Sequence, residues 1–152
     1  MNQLDTVDGK NPGKDSSESG LTILTIDDVR EAVSSLEEWL TAHGHRVFTA
    51  LSGEQGLEIL EEHKVDVVLC DLHMPGMNGW EVARALQEMF GEDSTRKPPF
   101  ILVTGSASHF FHCCPISRSG IAAVVQKPVD TIKLLVVINE VVEQHTQGEL
   151  NM

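Results

Sequence analysis

Five short apolar runs alternate along the chain with segments of helical periodicity. The third run, residues 65–70 (VDVVLC), shows no clean alternation of apolar and polar positions, which is typical of a strand covered on both faces of a parallel sheet. The other runs are residues 21–26, 46–50, 100–103 and 122–126. Because these runs alternate with helical patterns, the sequence predicts an α/β domain with a parallel five-stranded sheet between two layers of helices.

Each helical segment is marked by apolar residues three or four positions apart. The predicted helices span approximately residues 29–43, 53–62, 79–90, 106–119 and 131–145. Ser52 and Gln55 match a capping box before the second helix, and Asp130 is suited to cap the last one. Pro115 lies within the fourth predicted helix, and we expect it to kink or divide that helix because proline removes a backbone hydrogen bond.

The two ends of the chain are polar. Residues 1–20 carry only isolated apolar positions, too few to offset the entropy of ordering them, so we expect a disordered tail. The folded domain is expected over residues 21–146, with a short C-terminal tail at 147–152. We expect a stand-alone domain, because no effector domain follows the last helix.

Charge and cysteine content narrow the range of functions. The 152 residues include 11 Lys and Arg against 23 Asp and Glu, for a formal net charge of −12, which opposes direct binding to nucleic acid or to an anionic membrane. The cysteines Cys70, Cys113 and Cys114 cannot all pair within one chain, which favours thiols in a reducing compartment. No apolar run approaches the length of a membrane span, so we expect a cytoplasmic protein.

Polar side chains that could take part in catalysis or metal binding follow several of the predicted strands. Asp27 and Asp28 follow the first strand, Asp71 the third, Thr104 the fourth and Lys127 the fifth. Parallel strands place their carboxyl ends at one edge of the sheet, where α/β proteins bind ligands. Carboxylates held close together repel each other unless a cation is present, and oxygen ligands suit Mg²⁺ or Mn²⁺.

This arrangement suggests transfer of a phosphoryl group onto a carboxylate. Asp71 is the best candidate nucleophile, because it is the single carboxylate at the end of the central strand. Asp27 and Asp28 would hold the metal, Lys127 would offset negative charge, and Thr104 would donate a hydrogen bond to the transferred group. Each residue alone has an ordinary structural explanation, but their joint occurrence at strand ends favours function.

These residues resemble the receiver domain of two-component response regulators. The resemblance covers residues 21–145 and rests on four motifs in order: the Asp27-Asp28 pair, the run DLHMPGMNG around Asp71, Thr104 followed by the small residue Gly105, and Lys127-Pro128. It implies a flavodoxin-like, CheY-like fold with strand order 2-1-3-4-5. Gly105 would leave space for the phosphate or its donor.

The resemblance also implies a mechanism. Asp71 would accept a phosphoryl group from a histidine kinase or a histidine phosphotransfer protein. Mg²⁺ would be held by the side chains of Asp28 and Asp71 and by the main-chain carbonyl of His73, while Asp27 would act mainly through water. The protein would be a signalling phosphoacceptor rather than an enzyme, with no catalysis beyond its own phosphorylation and dephosphorylation.

The implied output is a change of protein surface. Phosphorylation would draw Thr104 inward and remodel the face formed by the fourth helix, the fifth strand and the last helix, through which an unknown target or a second copy of the chain would bind. The Lys127-Pro128 bond would be cis. Two features depart from the family: Val124 replaces the usual aromatic residue, and Pro115 lies within the signalling surface.

Several alternatives stay open. A degenerate receiver would bind partners without phosphorylation, although the complete acidic set argues against it. A haloacid-dehalogenase-like phosphatase needs a second acid two residues after its nucleophile, where His73 stands. A flavodoxin-like cofactor binder needs a phosphate-binding loop, and none follows the first strand. Residues 109–114 (HFFHCC) offer imidazoles and thiols for a soft metal, but packing or a partner surface is the simpler interpretation.

Overall fold

The sheet has the strand order that the sequence resemblance implies. A computed structural model describes residues 20–91, 96–105 and 120–150, with side chains described as far as residue 146. Its parallel strands are β1 (Thr22–Ile26), β2 (Arg46–Ala50), β3 (Val67–Asp71), β4 (Phe100–Thr104) and β5 (Ile121–Gln126). Their order is β2-β1-β3-β4-β5, which confirms the predicted order 2-1-3-4-5.

The described helices are α1 (Arg30–Ala42), α2 (Gly53–Glu62), α3 (Gly79–Phe90) and α4 (Thr131–Leu150). Helix α4 continues past the end predicted near His145, because extending a formed helix costs far less than starting one. The fourth predicted helix with Pro115, and the N-terminal tail except for Gly20, lie outside the described residues. Within the described part of the chain, no helix has the length and apolarity needed to span a bilayer.

Two apolar cores lie on opposite faces of the sheet because successive strand residues alternate in direction. One face packs against α2 and α3, and its buried residues include Leu24, Ile26, Val68, Cys70, Leu60, Val82 and Leu86. The other face packs against α1 and α4, and its buried residues include Ile23, Leu69, Ile101, Val103, Leu40, Leu134 and Ile138. The central strands are buried on both faces, which explains their unbroken apolar sequence.

The capping box predicted at Ser52 forms only in part. The Ser52 hydroxyl accepts a hydrogen bond from the Gln55 amide at 3.1 Å, as expected. The Gln55 side chain, however, accepts from the amide of Leu51 at 2.7 Å, which ties down the residue before the cap. A complete capping box occurs instead at Asn78 and Glu81, at the start of α3. The Asn-x-x-Glu spacing of these two residues fits the capping pattern.

The starts of two helices leave apolar side chains exposed. Asp130 caps α4 as predicted, accepting hydrogen bonds from the amides of Ile132 and Lys133. Ile132 itself is 73% exposed, because it lies in the first turn on the side opposite the buried stripe of α4. Val29 is the N-cap of α1 and is 48% exposed, so it contributes little to the core.

His45 links Leu21, the residue before β1, to the turn before β2, and we expect it to make stability depend on pH. Its Nδ1 accepts a hydrogen bond from the Leu21 amide at 3.0 Å, which requires a ring unprotonated at that nitrogen. Burial, followed by the charge of nearby His43, lowers the pKa of His45 below 6.5. The unfolded chain therefore binds the proton more tightly, and the free energy of unfolding should fall as the pH drops below about 6.5.

His45→Asn retains an acceptor oxygen near the position of Nδ1 but cannot be protonated in this range. We expect the loss of stability between about pH 7.5 and pH 5.5, measured by urea unfolding, to be smaller in this variant than in the wild type. His43→Gln, which changes an exposed neighbour, should leave most of the loss in place. Equal pH dependence in His45→Asn and the wild type would refute this role for His45.

Candidate functional site

Three carboxylates converge at the carboxyl edge of the sheet, as the strand ends predict. Asp71 is the last residue of β3, and Asp27 follows the adjacent strand β1. Asp28 follows Asp27 and is exposed, whereas the other two are largely buried. One oxygen from each carboxylate lies within 4.8 Å of the others. Such a cluster carries strong mutual repulsion unless a cation is near.

Lys127 supplies one cation to this cluster. Its Nζ lies 3.0 Å from Asp71 Oδ1 and 3.3 Å from Asp27 Oδ2. The main-chain amide of Lys127 donates to the carbonyl of Thr104 at 2.9 Å, which fixes the start of this segment against the end of β4. Lys127 follows β5 and is held against the end of β4, and this position brings its ammonium to the carboxylates of Asp27 and Asp71.

Backbone contacts hold Asp27 in place. Its amide donates to the carbonyl of Ala50 at 3.1 Å, and its Oδ1 accepts from the Val29 amide at 2.9 Å. The second contact is a short side-chain turn that Asp forms readily before a helix. One oxygen of Asp27 therefore faces the start of α1, while the other faces Lys127.

Burial and the charges of the neighbouring groups shift the pKa values of Asp71 and Lys127. Burial raises the pKa of Asp71 above its usual value, and the charges of Asp27 and Asp28 act in the same direction, against the opposing effect of Lys127. For Lys127, burial lowers the pKa, but the hydrogen bond to Asp71 and the charge of Asp27 outweigh burial, so the net pKa is raised. The lysine is therefore firmly cationic, while the acidic cluster retains unbalanced negative charge.

The other predicted site residues occupy the same edge of the sheet. Thr104 is fully buried at the end of β4, and Gly105 follows it in an exposed position. His73 is exposed in the loop after β3. The Lys127-Pro128 peptide bond is cis, as the sequence resemblance implies.

Val124 lies in β5, three residues before Lys127. It is partly buried in β5 and packs against the core beneath α2 and α3. Its branched side chain carries no aromatic ring, so it cannot contribute the ring movement that the family usually associates with this position. Residues 106–119, including Pro115 and the HFFHCC segment, lie outside the described residues.

Cys70, next to Asp71, is a structural residue. Its thiol is buried and lies 3.3 Å from the main-chain carbonyl of Asp71. Burial, followed by the negative charges of Asp71 and Asp27, raises the pKa of the thiol well above its ordinary value. Cys70 is therefore a protonated and unreactive thiol, in agreement with its predicted position in a core strand.

Gly79, the last residue of the DLHMPGMNG motif, supports the site through a close contact that the motif alone does not reveal. It is the first residue of α3, and a Cβ there would lie 2.5 Å from the carbonyl oxygen of Asp71 and 2.8 Å from Leu102 Cδ1. A glycine directly after a capping asparagine is the signal that could have identified this close approach. The absence of a side chain at this position allows the backbone around Asp71 to pack against α3.

We expect Gly79→Ala to displace the backbone that carries Asp71, because a main-chain carbonyl cannot move aside as a flexible side chain can. The free energy of unfolding should fall by about 1–3 kcal/mol, measured by urea unfolding. Gly105→Ala is the matched control, since a Cβ there meets no atom of the described residues within 4 Å. Equal stability of the two variants would contradict this role for Gly79.

The acidic cluster fits a hard divalent cation. Its carboxylate oxygens are the ligand type that Mg²⁺ and Mn²⁺ prefer, and one atom from each Asp lies within a range that a single ion can bridge. Among the described residues, the three carboxylates lie beside a single ammonium, that of Lys127, so negative charge remains in excess. A bound cation would supply the missing positive charge.

Comparisons with known proteins agree on one family. A family model described as response regulator receiver domain matches residues 23–139. PilH of Pseudomonas aeruginosa is 35% identical over 119 residues, which cover 78% of this chain and 95% of PilH. PleD of Caulobacter vibrioides is 33% identical over 112 residues, but the match covers only 24% of its length against 74% of this chain.

Solved structures show the same architecture. A CheY-like receiver domain protein from Methanospirillum hungatei aligns with a TM-score of 0.72 and 25% identity, over 86% of this chain and 99% of that one. TrrA of Thermotoga maritima, solved in complex with Mg²⁺ and BeF, aligns with a TM-score of 0.69 and 26% identity, over 80% of this chain and 98% of that one.

Proposed function

This chain belongs to the response regulator receiver domain family, and from that premise we propose that Asp71 accepts a phosphoryl group from a phosphorylated histidine of a partner protein. The observation that supports this role most strongly is the position of Lys127 Nζ, 3.0 Å from an oxygen of the largely buried Asp71, within the carboxylate cluster. Among these three carboxylates, Asp71 is the one that ends the central strand β3.

In the proposed reaction, a carboxylate oxygen of Asp71 attacks the phosphorus atom. A new oxygen–phosphorus bond forms, the nitrogen–phosphorus bond of the donor breaks, and its electron pair returns to the imidazole. Lys127 lies within reach of the charge that builds up on the phosphoryl oxygens. Thr104 and Gly105, at the end of β4, would provide a hydrogen-bond donor and an open approach.

We further propose that the resident cation is Mg²⁺, with Mn²⁺ as a substitute. Receiver domains bind Mg²⁺ at an acidic pocket, and the pocket here would use Asp28 and Asp71 directly, with the main-chain carbonyl of His73, while Asp27 acts through water. When bound, such an ion neutralises charge on the phosphoryl oxygens during transfer. The TrrA complex with Mg²⁺ and BeF supports this assignment by similarity.

The partners we propose are proteins. Receiver domains of response regulators interact with histidine kinases or phosphotransfer proteins, and we propose one of these as the donor. The downstream target would be a protein in the cytoplasm, contacted through the face formed by β5, α4 and the predicted fourth helix, which could also pair two copies. The net charge of −12 disfavours direct contact with nucleic acid or membrane.

Intact-mass spectrometry after incubation with a small acyl phosphate and Mg²⁺ tests this function. We expect the full chain to gain the mass of one phosphoryl group, and this gain to fall to background when a chelator removes the divalent ion. No mass gain with any acyl phosphate or phosphorylated histidine donor would refute the proposal. It would favour a receiver that binds its partners without being phosphorylated.

A further inference from the structure

A second cleft lies at the edge of the sheet opposite the acidic cluster, where the parallel strands begin. It is bounded by the loop before β3 (residues 64–66), the loop before β4 (residues 96–98) and the end of α4 (residues 142–146). Strand β3 is five residues long, so this cleft lies on the order of 15 Å from Asp71. We call it the amino-edge cleft.

Three cationic side chains line the amino-edge cleft. They are Lys64, Arg96 and Lys97, and Asp66 is the one carboxylate among the lining residues. With histidine neutral, three cations against one carboxylate leave a formal charge of +2, in a chain whose net charge is −12. Three of the 11 Lys and Arg of the whole chain therefore lie at one small cleft, which favours an anion as its ligand.

The cations of the cleft lack acidic partners. Within the part of the chain that the structure describes, no carboxylate lies within ion-pair distance of Lys64, Arg96 or Lys97. Asp66 does not pair with them, because its Oδ2 accepts a hydrogen bond from the amide of Thr22 at 2.7 Å. Like charges gathered at one place repel each other, so a bound anion would relieve that repulsion.

Backbone and ring contacts hold both loops of the cleft in place. The amide of Asp66 donates to the carbonyl of Thr22 at 2.7 Å, and the carbonyl of Pro99 accepts from an amide of β3 at 3.0 Å. The guanidinium of Arg96 lies over the ring of Phe90, 5.6 Å from the ring centre. A ligand would therefore meet cationic side chains whose main chain is already positioned, which lowers the cost of binding.

Two glutamates limit where an anion fits. A neighbouring cleft shares Lys64 and Arg96 with the first, but Glu61 and Glu62 also line it and balance those charges. Its other lining residues include the ring of Phe90. The excess of positive charge is thus confined to the amino-edge cleft, and the neighbouring cleft suits an uncharged group.

The size of the amino-edge cleft limits the anion further. Its volume is about 130 Å³, roughly that of four molecules in liquid water. One tetrahedral oxyanion fits such a space, whereas an extended polyanion would have to lie outside it. A single carboxylate would balance only half of the formal charge of +2 that the lining carries.

We propose that the amino-edge cleft binds a phosphate dianion, either free phosphate or the phosphate group of an organic monoester. Arg96 offers its oxygens a planar pair of donors, and Lys64 and Lys97 contribute compact charges. No covalent bond forms or breaks there. The site is separate from the proposed phosphoacceptor, and binding requires neither Asp71 nor a divalent ion.

The test is a titration of the ¹⁵N-labelled full chain, followed by amide NMR spectra, without divalent ions and at about pH 8, where phosphate and its monoesters are dianions. The probes are inorganic phosphate and phenyl phosphate, with sodium chloride at equal ionic strength as the reference. We expect both phosphates, but not chloride, to shift the amides of Lys64, Asp66 and Lys97 saturably. Asp71→Asn should show the same shifts, so this result is independent of phosphorylation at Asp71.

The two probes distinguish the sources of the phosphate group. The ring of phenyl phosphate can extend into the neighbouring cleft beside Leu60 and Phe90. Tighter binding of phenyl phosphate than of inorganic phosphate would identify an organic monoester as the ligand. Equal or tighter binding of inorganic phosphate would identify the free ion, and either result supports a phosphate site.

Charge-matched variants locate the binding. Lys97→Gln should weaken phosphate binding about fivefold to tenfold, because an ammonium beside the anion is lost. Lys133→Gln is the matched control, since it removes the same charge from an exposed position on α4 outside the cleft. Asp66→Asn should instead strengthen binding about threefold, because it removes the carboxylate of the cleft and keeps an oxygen that accepts from the Thr22 amide.

Three outcomes would overturn the proposal. The first is that the cleft amides respond to phosphate no more than to chloride at equal ionic strength. The second is an equal loss of affinity in Lys97→Gln and Lys133→Gln, which would show an effect of net charge alone. The third is weaker phosphate binding by a folded Asp66→Asn chain. Should that variant fail to fold, the lysine pair still decides, because neither lysine is buried.

Discussion

Asp71→Asn should reduce phosphoryl incorporation from an acyl phosphate by more than about 100-fold while raising the stability of the metal-free chain. The amide retains the size of the side chain and an oxygen that accepts from Lys127 Nζ, which lies 3.0 Å from Asp71 Oδ1. It removes the nucleophilic carboxylate and one negative charge from the cluster. Loss of function without loss of fold is therefore the expected signature.

The gain in stability follows from the raised pKa of Asp71. Burial and the neighbouring carboxylates raise this pKa above 3.8, so the folded chain binds the proton more tightly than the unfolded chain. The ionised carboxylate then destabilises the fold as the pH rises through the folded pKa. We expect a higher melting temperature for Asp71→Asn at about pH 7, with the difference vanishing below about pH 3.8.

Mg²⁺ should act against this difference in melting temperature between Asp71→Asn and the wild type. The ion binds the folded acidic cluster, so it should raise the melting temperature of the wild type more than that of Asp71→Asn. Asp130→Asn is the matched control, because asparagine also caps a helix and Asp130 lies outside the cluster. The interpretation fails if Asp71→Asn still incorporates phosphate, or if Mg²⁺ stabilises it as strongly as the wild type.

Lys127→Met should lower the rate of phosphoryl incorporation by about 10²–10³-fold and at the same time strengthen Mg²⁺ binding several-fold. The methionine keeps much of the aliphatic stem but loses the ammonium that lies near Asp71 and Asp27. Without it, the transferred group loses a positive charge. Mg²⁺ no longer competes with the Lys127 ammonium for the carboxylates of Asp27 and Asp71.

Opposite changes in the two measurements distinguish this role from general damage. Calorimetric titration gives the Mg²⁺ affinity, and timed intact-mass spectrometry gives the phosphorylation rate. Lys133→Met, a change of an exposed lysine on α4, should alter neither. A Lys127→Met chain that binds Mg²⁺ more weakly and is phosphorylated at the wild-type rate would show that Lys127 only fills space.

The strands and the site edge were predictable because both depend on local sequence. A largely apolar run such as residues 65–70, in which only Asp66 is polar, is typical of a strand that a parallel sheet buries on both faces. The residues that follow such runs must then meet at one edge, and Asp27, Asp71 and Lys127 do so. The spacing of apolar residues predicted the four described helices, although α4 extends beyond the end predicted near His145.

The remaining features depend on distances between elements, which periodicity does not encode. The hydrogen bond from the Leu21 amide to His45 depends on how the turn before β2 packs beside the start of β1. The contact between Gly79 and the carbonyl of Asp71 depends on how α3 docks on the end of β3. The side chain of Gln55 accepts a hydrogen bond from the amide of Leu51 and not from that of Ser52, and the chain bends at these two residues, before α2. None of these can be derived from one segment alone.

Reductive trapping of the phosphorylated residue tests the central claim most directly. Borohydride converts an aspartyl phosphate to homoserine, so peptide mapping of the treated wild-type chain identifies the acceptor. We predict homoserine at position 71, formed only when the chain has first been incubated with phosphodonor and divalent ion. Homoserine at position 27 or 28, or at another aspartate outside the cluster, would contradict the assignment of Asp71 as the phosphoacceptor.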